Sequence, residues 1–138
     1  MSIAENIAAV RSRIAAAAES AGRRPEDILL VGASKMNDAA ACREAIAGGL
    51  TALGENRVQE LLEKDAQGAY AGAALHFIGR LQRNKVKYLV GRVDLIESID
   101  SLALLQEVQR LAEKRGVTQD ILLEVSAAGE ESKGGLPM

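Results

Sequence analysis

A chain of 138 residues, 48% of them hydrophobic, is long enough to bury the core of one domain. Its hydrophobic residues are almost all aliphatic, with one Phe, two Tyr and no Trp, which is typical of helices packed on aliphatic strands. The net charge of −2 excludes strong attraction to nucleic acid or anionic membranes, and no apolar run approaches the ~20 residues that cross a bilayer.

The first predicted element is an amphipathic helix. From Ile3 to Ala18, apolar residues recur at three- and four-residue steps, which places them on one helical face. Ser2 followed by Glu5 has the form of a capping box, and Gly22 lies where the periodic pattern stops. We therefore predict a surface helix that packs along its apolar side.

After this helix, strand-like and helix-like segments alternate. Short aliphatic runs bounded by turn residues predict buried strands, and longer periodic stretches predict helices. The predicted strands are residues 28–33, 51–53, 75–78, 93–97 and 121–125. The predicted helices are one capped by Asn37 or Asp38 and three more at about residues 56–64, 82–90 and 101–115.

The spacing of these segments predicts the fold class. The strands start at residues 28, 51, 75, 93 and 121, which are 23, 24, 18 and 28 residues apart. This alternation predicts an α/β domain of parallel strands joined by right-handed crossovers. Five such units fit either an open doubly wound sheet or part of a (β/α)8 barrel, which typically needs ~250 residues when complete.

Lys35 is the first candidate for chemistry, because it lies just after the first predicted strand. Parallel α/β folds place their active sites at the C-terminal ends of strands. An apolar wall around the amine would lower its pKa and free it to condense with an aldehyde. Position alone favours a solvent-facing loop lysine, so both interpretations stay open here.

Polar side chains also follow the other predicted strands, at residues 54–56, 79–85 and 98–100, and at Ser126 and 130–133. They would line one shared site at the C-terminal ends of the strands, although helix capping explains Asn56 and Asp100 almost as well. Inside the third strand, His76 is expected to hydrogen-bond the backbone.

The only cysteine, Cys42, is expected to be a small buried hydrophobe. A single cysteine predicts no disulfide and no structural zinc site, and it suits a reducing cytoplasm. A basic stretch without acidic residues runs from Arg80 to Arg92, but only Tyr88 is available there for base stacking. We therefore predict a solvated basic surface and no nucleic-acid partner.

Five segments together resemble the pyridoxal phosphate (PLP) homeostasis family, whose members have an alanine-racemase-type barrel. In chain order the segments are VGASK (31–35), LGENRVQE (53–60), HFIGRLQRNK (76–85), SID (98–100) and EESKGG (130–135). No single motif is specific, but their order and spacing extend the resemblance over essentially the whole chain.

The resemblance implies a function and a site. It implies a non-enzymatic, cytoplasmic protein that binds and buffers PLP through a Schiff base on the lysine after the first strand, here Lys35. It also implies that Asn56, Gly79, Gln82 and Asn84 form the near wall of the cofactor pocket, with no metal. Residues 1–138 would be a single partial barrel domain with about five of the eight β/α units.

Relatives of this kind hold the cofactor phosphate on loops after the seventh and eighth strands, which lie outside these 138 residues. Ser126 also stands where an Asn commonly follows the valine. An open barrel would expose strand edges, so we expect the chain to self-associate through those edges. We expect no membrane partner. Two alternatives therefore stay open: a PLP-dependent amino-acid racemase-like enzyme, and a fragment that binds no PLP without the missing C-terminal strands.

Overall fold

A five-stranded parallel sheet organises the protein in a computed structural model that describes residues 1–130 and 134–138. In spatial and chain order, its strands are β1 (Gly32–Ala33), β2 (Ala52–Glu55), β3 (Ala74–Phe77), β4 (Leu95–Ile99) and β5 (Asp120–Leu123). Two further short strands, β6 (Val125–Ser126) and β7 (Leu136–Pro137), pair with each other. The predicted α/β class and the parallel pairing of the strands are confirmed.

Helices connect the strands and begin largely where side chains can cap them. The α-helices are α1 (Ile3–Ser20), α2 (Ala39–Ala47), α3 (Val58–Ala66) and α4 (Leu102–Arg115), and two 3₁₀ helices span Pro25–Asp27 and Arg83–Tyr88. The predicted capping box between Ser2 and Glu5 is present, and Asp38 rather than Asn37 caps α2. None of the helices described is long and apolar enough to cross a membrane.

The face of the sheet that contacts α3 carries most of the core. Leu53 and Glu55 of β2 pair in register with Leu75 and Phe77 of β3, and side chains two residues apart point to the same face. All four are buried. A carboxylate, that of Glu55, is therefore placed inside a layer of apolar side chains.

Several predicted boundaries are wrong, among them that of the strand expected at residues 93–97, which is Leu95–Ile99. The strand expected at residues 28–33 is reduced to Gly32–Ala33, because β1 lies at the sheet edge and has only β2 as a partner. The helix expected at 82–90 is the 3₁₀ helix Arg83–Tyr88, a form favoured in short segments. The strand expected at 121–125 ends at Leu123, beyond an irregularity in the β4–β5 register, and Val125 belongs to β6.

Candidate functional site

Lys35 lies in the turn between β1 and α2, at the C-terminal end of the first strand. Its side chain is exposed, and its ammonium makes no hydrogen bond or ion pair with residues 1–130 or 134–138. The next residue, Met36, has a φ of 64°, a left-handed conformation that non-glycine residues rarely adopt. The amine is thus free, while the backbone that carries it has a specific and uncommon shape.

The residue before Lys35 anchors this turn to the sheet. The Ser34 N–H donates to the Gly54 carbonyl over 3.0 Å, and its buried hydroxyl donates to Oε1 of Glu55. These bonds connect the end of β1 to the end of β2. They fix the point at which the chain leaves the sheet towards Lys35.

Glu55 and Lys64 form a buried ion pair beneath the turn. The Lys64 Nζ is 2.6 Å from Glu55 Oε1, and the two residues are 5% and 0% exposed. Burial alone would lower the pKa of Lys64, but hydrogen bonds and negative charge from Glu55, with Glu60, raise it. Lys64 therefore stays charged inside the fold, and its ion pair with Glu55 offsets the cost of burying both charges.

Two neutral groups lie in the electrostatic environment of this pair. Burial raises the pKa of the Tyr70 phenol, and the negative charge of Glu55 raises it further. Burial also raises the pKa of the Cys42 thiol, although Lys64 opposes the shift. Cys42 is 1% exposed, so the prediction that it is a small buried hydrophobe is confirmed.

Sequence reasoning missed the Glu55–Lys64 pair. It placed Glu55 among polar residues after the strand and treated Lys64 only as the end of a helix. The signal was available, because Glu55 lies two residues after buried Leu53 and Lys64 lies three after buried Leu61. A step of two residues on a strand and of three on a helix each return to the same face, so both charged side chains point towards the apolar interior.

A cavity of about 510 Å³ lies beyond the ends of β2 and β3. It is lined by Asn56, Arg57, Val58, Gln59, Phe77, Arg80, Leu81, Gln82 and Lys85. The structure therefore brings Asn56 and Gln82 together beyond β2 and β3, whereas Lys35 and Asn84 do not line this cavity.

Gly79 has no side chain, and this lets the segment after β3 pass close to the backbone of Asn56. A Cβ on Gly79 would lie 2.1 Å from the carbonyl oxygen of Asn56, so only glycine permits this approach. The Asn56 Oδ1 is buried and has no hydrogen-bond partner within the described residues. An unpaired acceptor at the edge of a basic cavity is suited to a polar ligand that brings a donor.

Other predicted polar groups lie elsewhere. His76 is buried but bonds the Glu97 carboxylate, with Nδ1 2.7 Å from Oε1, so the predicted backbone bond is wrong. The reason is that Glu97 lies on the neighbouring strand β4, within reach of the ring. Ser98 is buried in the core and does not join a shared site. Glu131, Ser132 and Lys133 lie outside the described residues.

The basic stretch is a solvated surface, as predicted. All five of its cationic residues, Arg80, Arg83, Lys85, Lys87 and Arg92, are exposed. Two of them make surface ion pairs, Arg92 with Asp65 at 2.6 Å and Arg83 with Glu107 at 3.8 Å. Pairs of this kind contribute little to stability.

Curated relatives match almost the whole chain, although no protein-family model does. The chain is 46% identical over 136 residues to the "Pyridoxal phosphate homeostasis protein" of Aquifex aeolicus, covering 99% of this chain and 60% of the relative. Identity to the proteins of the same name is 43% in Pseudomonas aeruginosa and 38% in Escherichia coli K12. The chain spans 58% and 59% of these two relatives.

Solved structures of similar proteins also match almost the whole chain. PipY of Synechococcus elongatus, in its structure without PLP, superposes with a TM-score of 0.84 at 36% identity, covering 97% of this chain and 58% of PipY. The structure of PipY with PLP bound gives a TM-score of 0.79 and covers 93% of this chain and 56% of PipY. A protein of unknown function from Bifidobacterium adolescentis gives 0.88 at 38% identity, with 97% and 58% covered.

Proposed function

Because this chain belongs, over the residues it spans, to the family of pyridoxal phosphate homeostasis proteins, we propose that it binds PLP and serves PLP homeostasis without catalysing a reaction. The proposed attachment is a Schiff base on Lys35. One observation carries this assignment: the Lys35 amine is exposed and unpaired within the described chain, and it follows the C-terminal end of β1. Active sites of parallel α/β folds lie at that end of the strands.

The Lys35 amine and the cavity beyond β2 and β3 are each chemically suited to this cofactor. When bound, PLP would supply an aldehyde carbon with which the Lys35 amine can condense, releasing water. The cavity beyond β2 and β3 carries Arg57, Arg80 and Lys85 and no acidic residue, which suits an anionic molecule. The buried Asn56 Oδ1 has no partner within the described residues and is free to accept a hydrogen bond from a ligand. These features support Asn56 and Gln82 as part of the near wall of the proposed site, and the close approach to Asn56 supports Gly79. Asn84 is proposed for this wall on the family resemblance alone.

We further propose that β1–β5 are the first five strands of a (β/α)8 barrel, so that residues 1–138 are one partial barrel domain. The uninterrupted strand order supports this, because a doubly wound sheet reverses its order at a switch point. The coverage of about 58% of the solved relatives is also close to five strands out of eight. The proposed location is the cytoplasm, where the free thiol of Cys42 is stable.

The absence of catalysis is a proposal that the environment of the aromatic and thiol groups supports. A racemase-like reaction needs a second acid–base group close to the substrate. Cys42 and Tyr70 are only 1% and 5% exposed, so neither is accessible to a substrate. Tyr88 is 39% exposed but does not line the cavity beyond β2 and β3. Chiral analysis of alanine and serine incubated with the protein and PLP tests this directly. Turnover that Lys35→Ala abolishes would establish the enzyme instead.

A visible-absorbance titration with PLP tests the binding proposal. The wild-type chain should give a saturable band from the lysine adduct, and Lys35→Ala should not. Lys87→Ala, which removes an exposed lysine from the basic stretch, is the matched control and should bind as the wild type does. A chain that gives no saturable band would support the alternative in which PLP binding needs strands beyond these 138 residues.

A further inference from the structure

The turn that carries Lys35 is held from beneath by three charged residues, Glu55, Glu60 and Lys64, here called the Lys64 cluster. Glu55 ends β2, and the other two lie one helical turn apart on α3. Lys64 Nζ contacts Glu55 Oε1 at 2.6 Å and Glu60 Oε1 at 3.3 Å. None of these residues is part of the proposed cofactor wall.

The Lys64 cluster binds the backbone on both sides of Lys35. Lys64 Nζ donates to the carbonyl of Ser34 and to the carbonyl of Asn37, each over 2.8 Å. One ammonium group thus joins the residue before Lys35 to the second residue after it. A buried cation at the centre of a turn restrains the turn more firmly than neutral contacts do.

Glu60 supports the uncommon part of the turn. Its Oε1 accepts the Met36 N–H over 2.5 Å, and Met36 is the only non-glycine residue with a positive φ among those the structure describes. A left-handed conformation is unfavourable at a residue with a side chain and is adopted only where the surroundings impose it. Such outliers persist where the structure determines them, often at functional sites.

We propose that Lys64 is a positioning residue, which holds the 34–37 turn so that the Lys35 amine is presented for reaction with the PLP aldehyde. This inference rests on the proposed function. Lys64 itself is buried, touches backbone rather than cofactor, and leaves the Lys35 side chain unrestrained. Lys64 therefore acts on the position of the reacting Lys35 amine.

The test removes the hydrogen bonds from the Lys64 cluster to the turn while the protein stays folded. Lys64→Met alone would leave the Glu55 carboxylate buried without its partner, so it is combined with Glu55→Gln. Lys114→Met, at an exposed position on α4, is the matched control. Glu60→Ala is a second, independent variant, because its side chain is 23% exposed and its removal is tolerated more readily.

Two readouts are taken on each variant at a temperature at which its melting curve shows it to be fully folded. The first is the borohydride-trapped PLP label on Lys35 relative to the label on Lys87 in the same chain. The double variant should lower this ratio roughly tenfold, because a small misplacement of a reacting group has effects of that size or larger. Glu60→Ala should lower it roughly fivefold through loss of one charge-assisted hydrogen bond.

The second readout is amide hydrogen exchange at Met36 and Asn37, which does not depend on PLP. Exchange should be at least about tenfold faster in both variants and unchanged in Lys114→Met. If wild-type Lys35 is not labelled preferentially, the proposed function is wrong. In that case the hydrogen-exchange rates alone test whether Lys64 positions the turn. Unchanged exchange in folded Glu60→Ala and in the folded double variant would overturn the inference, as would an unchanged labelling ratio where the wild type prefers Lys35.

Discussion

At the scale of single residues, the buried pair of Glu55 and Lys64 is the feature with the largest energetic consequence. Both charges have been taken out of water into a layer that contains Leu53, Leu61 and Phe77. The desolvation cost of each ion is offset only while the partner is present. Losing one partner therefore costs more than losing both.

We predict that Lys64→Met lowers the free energy of unfolding by about 3–5 kcal/mol, because Glu55 is left buried and uncompensated. Adding Glu55→Gln should recover most of this loss. Urea denaturation of the wild type, both single variants and the double variant measures the coupling directly. Additive losses in the two single variants would contradict the buried pair.

At the scale of elements, the sequence predicted what local chemistry determines and missed what neighbouring strands determine. The capping box at Ser2 and the cap at Asp38 follow from local side-chain hydrogen bonds, and both are present. The length of β1 depends on its position at the sheet edge, where it has a partner strand on only one side. The sequence of residues 28–33 does not reveal that position. The division between β5 and β6 likewise follows from an irregular register with β4.

The same division holds for the candidate site. The location of Lys35 after the first strand follows from a motif within a short segment, whereas the approach of Gly79 to Asn56 joins the ends of two different strands. The bonds from Lys64 to the turn join residues 27 and 30 positions apart, so no local pattern contains them. The carboxylate partner of His76 is also on a different strand, 21 residues away.

The cap of α2 gives a prediction at this scale. The Asp38 carboxylate accepts the Ala41 N–H over 2.8 Å, and α2 starts directly after the Lys35 turn. Asp38→Ala should destabilise the protein by about 1 kcal/mol. Asp38→Asn should retain most of the stability, since the amide oxygen also caps. Thermal melts of both variants make the comparison, and equal losses would argue that the charge matters rather than the cap.

At the scale of the whole molecule, three buried groups give stability the same dependence on pH. The pKa values of Cys42, Tyr70 and Lys64 are all raised from ordinary values of 9.0, 10.0 and 10.5. Each group holds its proton longer in the folded chain than in the unfolded one. Its contribution is complete below the ordinary value and is lost as the pH rises beyond it.

We therefore predict that the free energy of unfolding is lost progressively as the pH rises above about 9, where the first of these groups ionises in the unfolded chain. Denaturation curves from pH 7 to pH 11 measure this loss. Cys42→Ala should delay its onset, because the next ordinary value is that of Tyr70. Stability that increases between pH 9 and pH 11 would contradict the direction of all three shifts.

The sheet edge at β5 gives a second prediction at this scale. Leu122, Leu123 and Val125 are each about half exposed, at 51%, 53% and 50%, and form an apolar border beside an edge strand. Exposed edges with apolar side chains favour pairing with another chain. We expect concentration-dependent self-association in analytical ultracentrifugation, reduced by Leu122→Lys. A wild-type chain that stays monomeric at high concentration would contradict this expectation.

The central claim, that Lys35 holds PLP, is tested most directly by reducing the protein–PLP mixture with borohydride and mapping the label by peptide mass spectrometry. The account predicts one dominant labelled peptide, which contains Lys35, at PLP concentrations that saturate the absorbance change. Label spread evenly over the exposed lysines, such as Lys85, Lys87 and Lys114, would contradict it.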